Sequence, residues 1–451
     1  MKITYCIKYK IDDENYTLFP ICNTFAKRYI MIDEISYQVF ELVESGCSMD
    51  DTVQEMLKQY DVDEQEFRND LEEILSQWED FGIIEREGIA QPEITQEKLT
   101  IPLQSDDIDG MTDLEIYDKM YQSAIQKKAP FKVFFEITHN CNLRCRHCYI
   151  QETVRETKNV FLEKEVLFRT FDELKEMGAH EIVITGGECT LHRDFFEIIE
   201  YICKKQFKLI ILTNGNMIDE QFVERIKDLP IADIRISIYG NEKTHDKMTC
   251  FDGSFQKSVK ALKMLRKEKA IGTAVILATK DNYAELENLT GFFKENGIEY
   301  DFNAFIFPTT EQNMAPTHYR IDQVLDQFVD RYVVNCSGSK CSAGVSRFRV
   351  DPYGNVSPCD LLKHEKLGNL YQDSFSKIIN SEERSEWIKK MEYIISHNEC
   401  SKCGDKKFCS CCLGLLYMEH HDYEKKLEFL CKFTEAKKNK FYRIMENTES
   451  E

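Results

Sequence analysis

Positive charge is scarce in this chain. Its 451 residues carry 58 Lys and Arg against 79 Asp and Glu, a formal net charge of −21. Non-specific nucleic-acid binding needs clustered basic side chains to neutralise phosphates, so no nucleic-acid partner is expected. The shortage is uneven: residues 1–90 hold 8 basic and 21 acidic side chains, 8 − 21 = −13. Such a surface is a solubilising face, and it can also steer a basic partner. Long apolar runs are missing too. No stretch of about 18 apolar residues is present to span a bilayer. The opening Met-Lys-Ile-Thr-Tyr-Cys-Ile-Lys lacks the basic and apolar regions of a signal peptide. No membrane partner and a cytoplasmic location follow as expectations.

Cysteine, by contrast, is plentiful at 18 residues. In a long chain without a secretory signal, clustered cysteines point to metal or redox chemistry rather than to a disulfide framework. The densest run is Cys141-Asn-Leu-Arg-Cys145-Arg-His147-Cys148, a CxxxCxxC spacing after a strand-like stretch at 133–138. Three thiolates supply three ligands of a four-iron cube and leave one iron able to bind a small molecule. A four-cysteine set closes the cube and only transfers electrons. Zinc sites pair CxxC units and want four ligands close together, and no further cysteine follows before Cys189.

This spacing resembles the signature of the radical S-adenosylmethionine (SAM) superfamily. The resemblance implies that SAM chelates the open iron and is cleaved to a 5′-deoxyadenosyl radical. The superfamily places an aromatic residue before the last cysteine, where this chain has His147; Tyr149 follows instead, as in the peptide-modifying branch, and is counted among the SAM-binding residues.

From residue 132 to about 308, strand-like runs at 133–138, 181–185, 208–212, 233–238, 273–278 and 301–307 alternate with helical segments such as 163–177 and 255–267. Alternation of this kind predicts a parallel sheet in an α/β fold. The superfamily resemblance implies a partial (β/α)6 barrel, with ligands at the carboxyl ends of its strands. Gly186-Gly187-Glu188 closes the second strand. Paired glycines let a backbone approach a ligand closely, and the carboxylate can receive an ammonium group. In the superfamily this element binds the SAM amino group. Asn214 in Thr213-Asn214-Gly215 and Ser237 on the fourth strand resemble positions that contact the SAM ribose and carboxylate.

Ahead of the barrel, short strands at 2–9 and 16–20 precede three helices: 34–44, one from 49 to 60 behind Ser48 and Asp51, and one behind Asp63 and Glu66. This winged-helix-like α+β pattern resembles the RiPP recognition element, a PqqD-like domain that grips the leader of a ribosomal precursor peptide by strand addition. Residues 91–128 read as a linker with one helix at most.

Beyond the barrel come Cys336, Cys341, Cys359, Cys400, Cys403, Cys409, Cys411, Cys412 and Cys431. The array Cys341…Gly354…Cys359…Cys400-x2-Cys403-x5-Cys409-x2-Cys412…Cys431 resembles the SPASM domain, the auxiliary-cluster module of maturases for subtilosin, pyrroloquinoline quinone and anaerobic sulfatases. The resemblance implies two more [4Fe–4S] clusters. Cys336, Cys341, Cys359 and Cys412 would hold the first; Cys400, Cys403, Cys409 and Cys431 the second. Cys411 competes with Cys412. Asp360 matches an acid thought to act as a base in the sulfatase-maturing branch.

The expected organisation is a recognition element at 1–90, a linker at 91–128, a radical SAM core at 129–310 and a small iron–sulfur domain at 311–451. The expected function is a peptide maturase that uses SAM and three [4Fe–4S] clusters, fed by a donor such as flavodoxin or ferredoxin. It would install a cross-link, a cysteine thioether before a carbon–carbon bond. Formylglycine formation on a sulfatase peptide is the rival enzyme reading, and a peptide-binding iron–sulfur scaffold the non-enzymatic one.

Overall fold

The computed structural model describes residues 2–21, 29–85, 113–150, 160–269, 271–309, 311–321, 341–409 and 411–448. The amino-terminal module contains β1 (Lys2–Ile3), β2 (Cys6–Lys10), β3 (Asn15–Pro20), β4 (Ile30–Asp33), α1 (Glu34–Glu44), α2 (Met49–Leu57), α3 (Glu64–Asp80) and β5 (Ile84–Glu85). β2, β3 and β4 form an antiparallel meander, and β1 pairs with β5. The helix starts follow local capping. Asp33 accepts from Ser36 N, Ser48 and Asp51 make a reciprocal capping box, and Asp63 accepts from Gln65 N and Glu66 N. β4 and β5 were not expected from sequence. Each is shorter than a typical strand and abuts a strong helical signal, so its pairing partner rather than its own pattern makes it a strand.

One face of the meander buries Cys6, Leu18 and Ile30 against Phe40, Leu71 and Trp78 of its own helices. The other face, Ile7, Tyr9, Phe19 and Tyr29, packs on Phe131, Ala232 and a helix α4 (Asp113–Lys127). That helix lies within the stretch read as a linker. Ile116, Met120 and Ala124 form its buried stripe and wedge it between module and barrel.

The central sheet runs β11-β10-β9-β8-β7-β6-β12-β13-β14. β6 (Lys132–Thr138), β7 (Glu181–Gly186), β8 (Lys208–Thr213), β9 (Asp233–Ile238), β10 (Thr273–Leu277) and β11 (Glu299–Asn303) are parallel and in chain order. Helices such as Lys164–Glu176, Phe195–Lys204 and Ser254–Lys269 lie between them, which is the expected α/β barrel topology. Val133, Phe135 and Ile137 join the helix layer with Leu167 and Phe171. Strand alternation therefore sends Phe134, Glu136 and Thr138 to the opposite, inner face. The sixth strand departs from expectation. It ends at Asn303, and Phe305 beyond it packs as loop on Phe429 and Phe433 of the helix Glu428–Thr448. Apolar residues there mimic a strand while serving a helix contact.

β12 (Arg347–Val350) adds in parallel to the free edge of β6, followed antiparallel by β13 (Asn355–Ser357) and β14 (Gly368–Asn369). The carboxy-terminal cysteine region is thus an extension of the barrel sheet. No described helix is long and apolar enough to cross a membrane.

Candidate functional site

The cysteine run follows β6 and hangs on a neighbouring helix. Arg144 N donates to Thr249 O at 3.2 Å and Arg146 N to Met248 O at 2.9 Å, the last carbonyls of the helix Glu242–Thr249. Cys148 N closes a turn onto Cys145 O at 3.2 Å, and Leu143 N donates to Cys141 Sγ at 3.5 Å. Tyr239, just past β9, packs against Cys145 and lies 4.5 Å from the His147 ring. Burial raises its phenol well above the ordinary value; Cys145, Cys148 and Cys141 add to this, and a bond with Ser237 opposes it. The three thiols thus lie near one ring at the carboxyl ends of β6 and β9, and Ser237 bonds the same ring's hydroxyl.

Gly186 and Gly187 are required by the protein's own backbone. A Cβ on Gly186 would meet Thr138 O at 2.2 Å; one on Gly187 would meet Asn140 O at 2.4 Å and His139 O at 2.5 Å. Gly187 N donates to Thr138 O and Glu188 N to Asn140 O, at 2.8 and 2.7 Å. The sequence reading expected a ligand at this close approach; the entry to the cysteine loop occupies it.

Glu188 is 1% exposed. Its Oε1 accepts from Thr190 N, Thr190 Oγ1 and Thr213 Oγ1, and its Oε2 from Asn214 N at 2.8 Å. Among the described residues no Lys or Arg pairs with it. A buried carboxylate with only neutral donors is completed by a cation, which suits the ammonium end of SAM. The Asn214 side chain donates to Asn142 Oδ1 at 2.7 Å. The second and third strands are thereby tied to the cysteine loop.

Tyr149 turns the other way. Its hydroxyl lies 3.4 Å from Glu136 Oε1, in a buried polar cluster that the sequence reading missed. Glu136 Oε2 receives Arg349 and His139, and its Oε1 receives Lys363 Nζ at 2.8 Å. Burial pushes the Glu136 carboxyl up, but Arg349 and Lys363 outweigh it and hold it well below the usual range. Arg349 and Lys363 are 213 and 227 residues away in sequence, so no local pattern could have revealed them.

The carboxy-terminal thiols fall into two groups. Burial raises Cys359 well above the ordinary value and Cys412 to about 12, and Cys341 reinforces both. Cys341, Cys359 and Cys412 are thus neighbours; Cys336 lies outside the described residues. Cys400 is raised by burial and then by Cys409, Cys431 and Cys403, which makes the second group. Cys411 sits with that second group, hydrogen-bonded to Cys400, and its N donates to Cys409 Sγ at 3.3 Å. Its left-handed φ of 34° turns the chain so that adjacent Cys411 and Cys412 serve different groups. Among the described residues no three Cys, His or carboxylate side chains lie close enough to chelate a single metal ion. A cube tolerates wider thiol spacing than one ion does. Asp360 is held by Arg347, whose Nε and Nη2 both donate to Oδ1 at 3.0 and 2.7 Å.

Residues 135–293 match the radical SAM superfamily, residues 341–404 an iron–sulfur cluster-binding domain termed SPASM, and residues 21–84 the coenzyme PQQ synthesis protein D family. The antilisterial bacteriocin subtilosin biosynthesis protein AlbA of Bacillus subtilis is 27% identical over 65% of this chain and 69% of its own length. An AdoMet-dependent heme synthase of Methanosarcina barkeri is 23% identical over 65% of this chain and 94% of its own. Streptococcus suis SuiB, solved with its precursor peptide SuiA, superposes with a TM-score of 0.59 at 16% identity, covering 96% of this chain and 99% of that one. By these matches the chain carries a radical SAM domain, a SPASM iron–sulfur cluster-binding domain and a PqqD-family domain, and SAM and [4Fe–4S] clusters are its cofactors.

Proposed function

We propose that the protein binds a precursor peptide by its leader and installs a thioether between a cysteine sulfur and a carbon of another residue. Residues 1–90 would take the leader, with α4 and the rest of 91–128 joining them to a core at 129–310 and a cluster domain at 311–451. Cys141, Cys145 and Cys148 would hold the site cluster. Cys336, Cys341, Cys359 and Cys412 would hold one auxiliary cluster, and Cys400, Cys403, Cys409 and Cys431 the other. Glu188, Asn214 and Ser237 would line SAM, Gly186 and Gly187 would seat the cysteine loop beside it, and Tyr149, turned to Glu136, leaves that set. Held by these residues, SAM and the site cluster would supply the one-electron chemistry that activates a carbon–hydrogen bond of the peptide. An external one-electron donor, such as flavodoxin or ferredoxin, fits this need.

The chain's own residues orient and protect. Glu188 receives the SAM ammonium. Asn214 keeps that pocket in register with the cysteine loop through Asn142. The observation that carries the reading is this Glu188–Asn214–Asn142 connection, which links two SAM-type motifs to the cysteine run at one barrel mouth. The likeness of the chain to AlbA, whose name refers to subtilosin biosynthesis, favours sulfur chemistry.

Asp360 favours a second reading. Arg347 occupies only Oδ1, and among the described residues no donor holds Oδ2. A free carboxylate oxygen beside Cys359 suits a base in formylglycine formation. Anaerobic incubation with SAM, reductant and a cysteine-containing precursor peptide separates the readings. Loss of two hydrogens, with fragmentation locating a carbon–sulfur bond, is the expected result. A product trapped by a carbonyl reagent supports formylglycine, and a carbon–carbon linkage rules out the thioether.

A further inference from the structure

Lys363 lies four residues beyond Cys359, and its side chain is 15% exposed. It bridges the two cysteine regions: Nζ donates to Glu136 on β6 and lies 4.2 Å from the centre of the Tyr149 ring, next to Cys148. One carboxylate here answers two cations. Arg349 cannot give up its proton, whereas a lysine ammonium can. The groups that face Lys363 are Glu136 and His139 from the β6 end, Arg349 from β12, Tyr149 from the cysteine loop and Asp360 from its own loop. Burial lowers the Lys363 amine, Glu136 partly restores it and Arg349 lowers it again, leaving it at about 8. A lowered amine has a larger neutral fraction at pH 7 than an ordinary lysine.

We infer that Lys363 is a catalytic residue that takes the proton from the peptide's cysteine sulfhydryl as that sulfur becomes the nucleophile. The S–H bond breaks, an N–H bond forms on Nζ, and the electron pair stays on sulfur. The new ammonium remains paired with Glu136. The step needs no oxidant or reductant. Asp360, the base suggested by sequence, is bonded to Arg347 through Oδ1 and belongs to the formylglycine reading. The inference rests on the thioether reading.

Lys363→Arg provides the test, because it keeps the charge beside Glu136 but cannot act as a base. With a cysteine-containing precursor peptide, cross-linked product per 5′-deoxyadenosine should fall at least about 50-fold, within the range of general-base catalysis. A ratio within about twofold of wild type would reduce Lys363 to an ion-pair role and overturn the inference. Competitive acetylation with mass spectrometry reads the amine directly in the unmodified full-length protein. Half-reaction near pH 8 is expected, moving lower in Glu136→Gln, and the product–pH profile should move with it. Titration near the ordinary value of about 10.4 also overturns the inference. A wild-type product joined carbon to carbon would sink the thioether reading while leaving the acetylation result intact.

Discussion

At Gly187 a methyl group would press on two carbonyl oxygens of the cysteine loop entry, at 2.4 and 2.5 Å. Backbone atoms cannot swing aside, so Gly187→Ala is expected to cost about 1–3 kcal/mol and to displace the loop that carries Cys141. Thermal unfolding should show the loss, and iron analysis should show about four fewer irons per chain. Glu188→Gln acts differently. The amide would turn an N–H group toward one of the donors now bonded to the carboxylate, and it removes the charge that suits an ammonium. Calorimetry should find SAM binding weakened by about tenfold or more, equivalent to about 1.4 kcal/mol. Both residues were visible in the sequence as Gly-Gly-Glu, yet the reason for the glycines was not. Their neighbour is the chain's own backbone, some 48 residues earlier in sequence. Lys363 and Arg349 were invisible altogether, because their partner Glu136 is reached only by folding the cluster domain onto β6.

The amino-terminal module is fastened to the barrel at the opposite end from the cysteines. Lys208 begins β8, donates to Tyr29 Oη at 2.7 Å and lies about 5 Å from the rings of Phe19, Tyr29 and Tyr117. His180, before β7, sits 3.0 Å from the same hydroxyl; burial and then Lys208 lower it to about 3, so it stays neutral in ordinary buffers. Lys208→Ala should therefore cost about 2 kcal/mol, seen as a lower Tm. Removing residues 1–90 would uncover Phe131 and the apolar stripe of α4. The truncated chain is expected to aggregate on gel filtration, and a well-behaved monomer would show that this contact is dispensable. Sequence periodicity located five of the six barrel strands closely because each starts and stops with a change of pattern. It missed β4 and extended the sixth strand, where tertiary contacts override local signals. α4 is the one helix that the linker reading allowed for, and its short buried stripe, flanked by polar residues, hid its bounds.

Among the described residues the clustered thiols fall in three places, two on the cluster domain and one at the barrel mouth, and β12 joins the cluster domain to the barrel sheet. Interleaving is the distinctive feature: Cys412 is close to Cys341, while its neighbour Cys411 keeps company with Cys400 and Cys409. Cys412→Ser is expected to remove about four of about twelve irons, whereas Cys411→Ser should leave the iron content near its wild-type value. Spectroscopic iron and sulfide analysis of the reconstituted proteins checks both. Spacing alone could not assign these two adjacent cysteines, since the choice depends on the left-handed turn at Cys411. The most direct measurement is anaerobic 5′-deoxyadenosine formation from SAM and a reductant by the iron-loaded full chain. The nucleoside should form with wild type and vanish with Cys145→Ala. Fully loaded wild-type protein that yields none, or a variant that yields as much, would contradict radical SAM chemistry at this site.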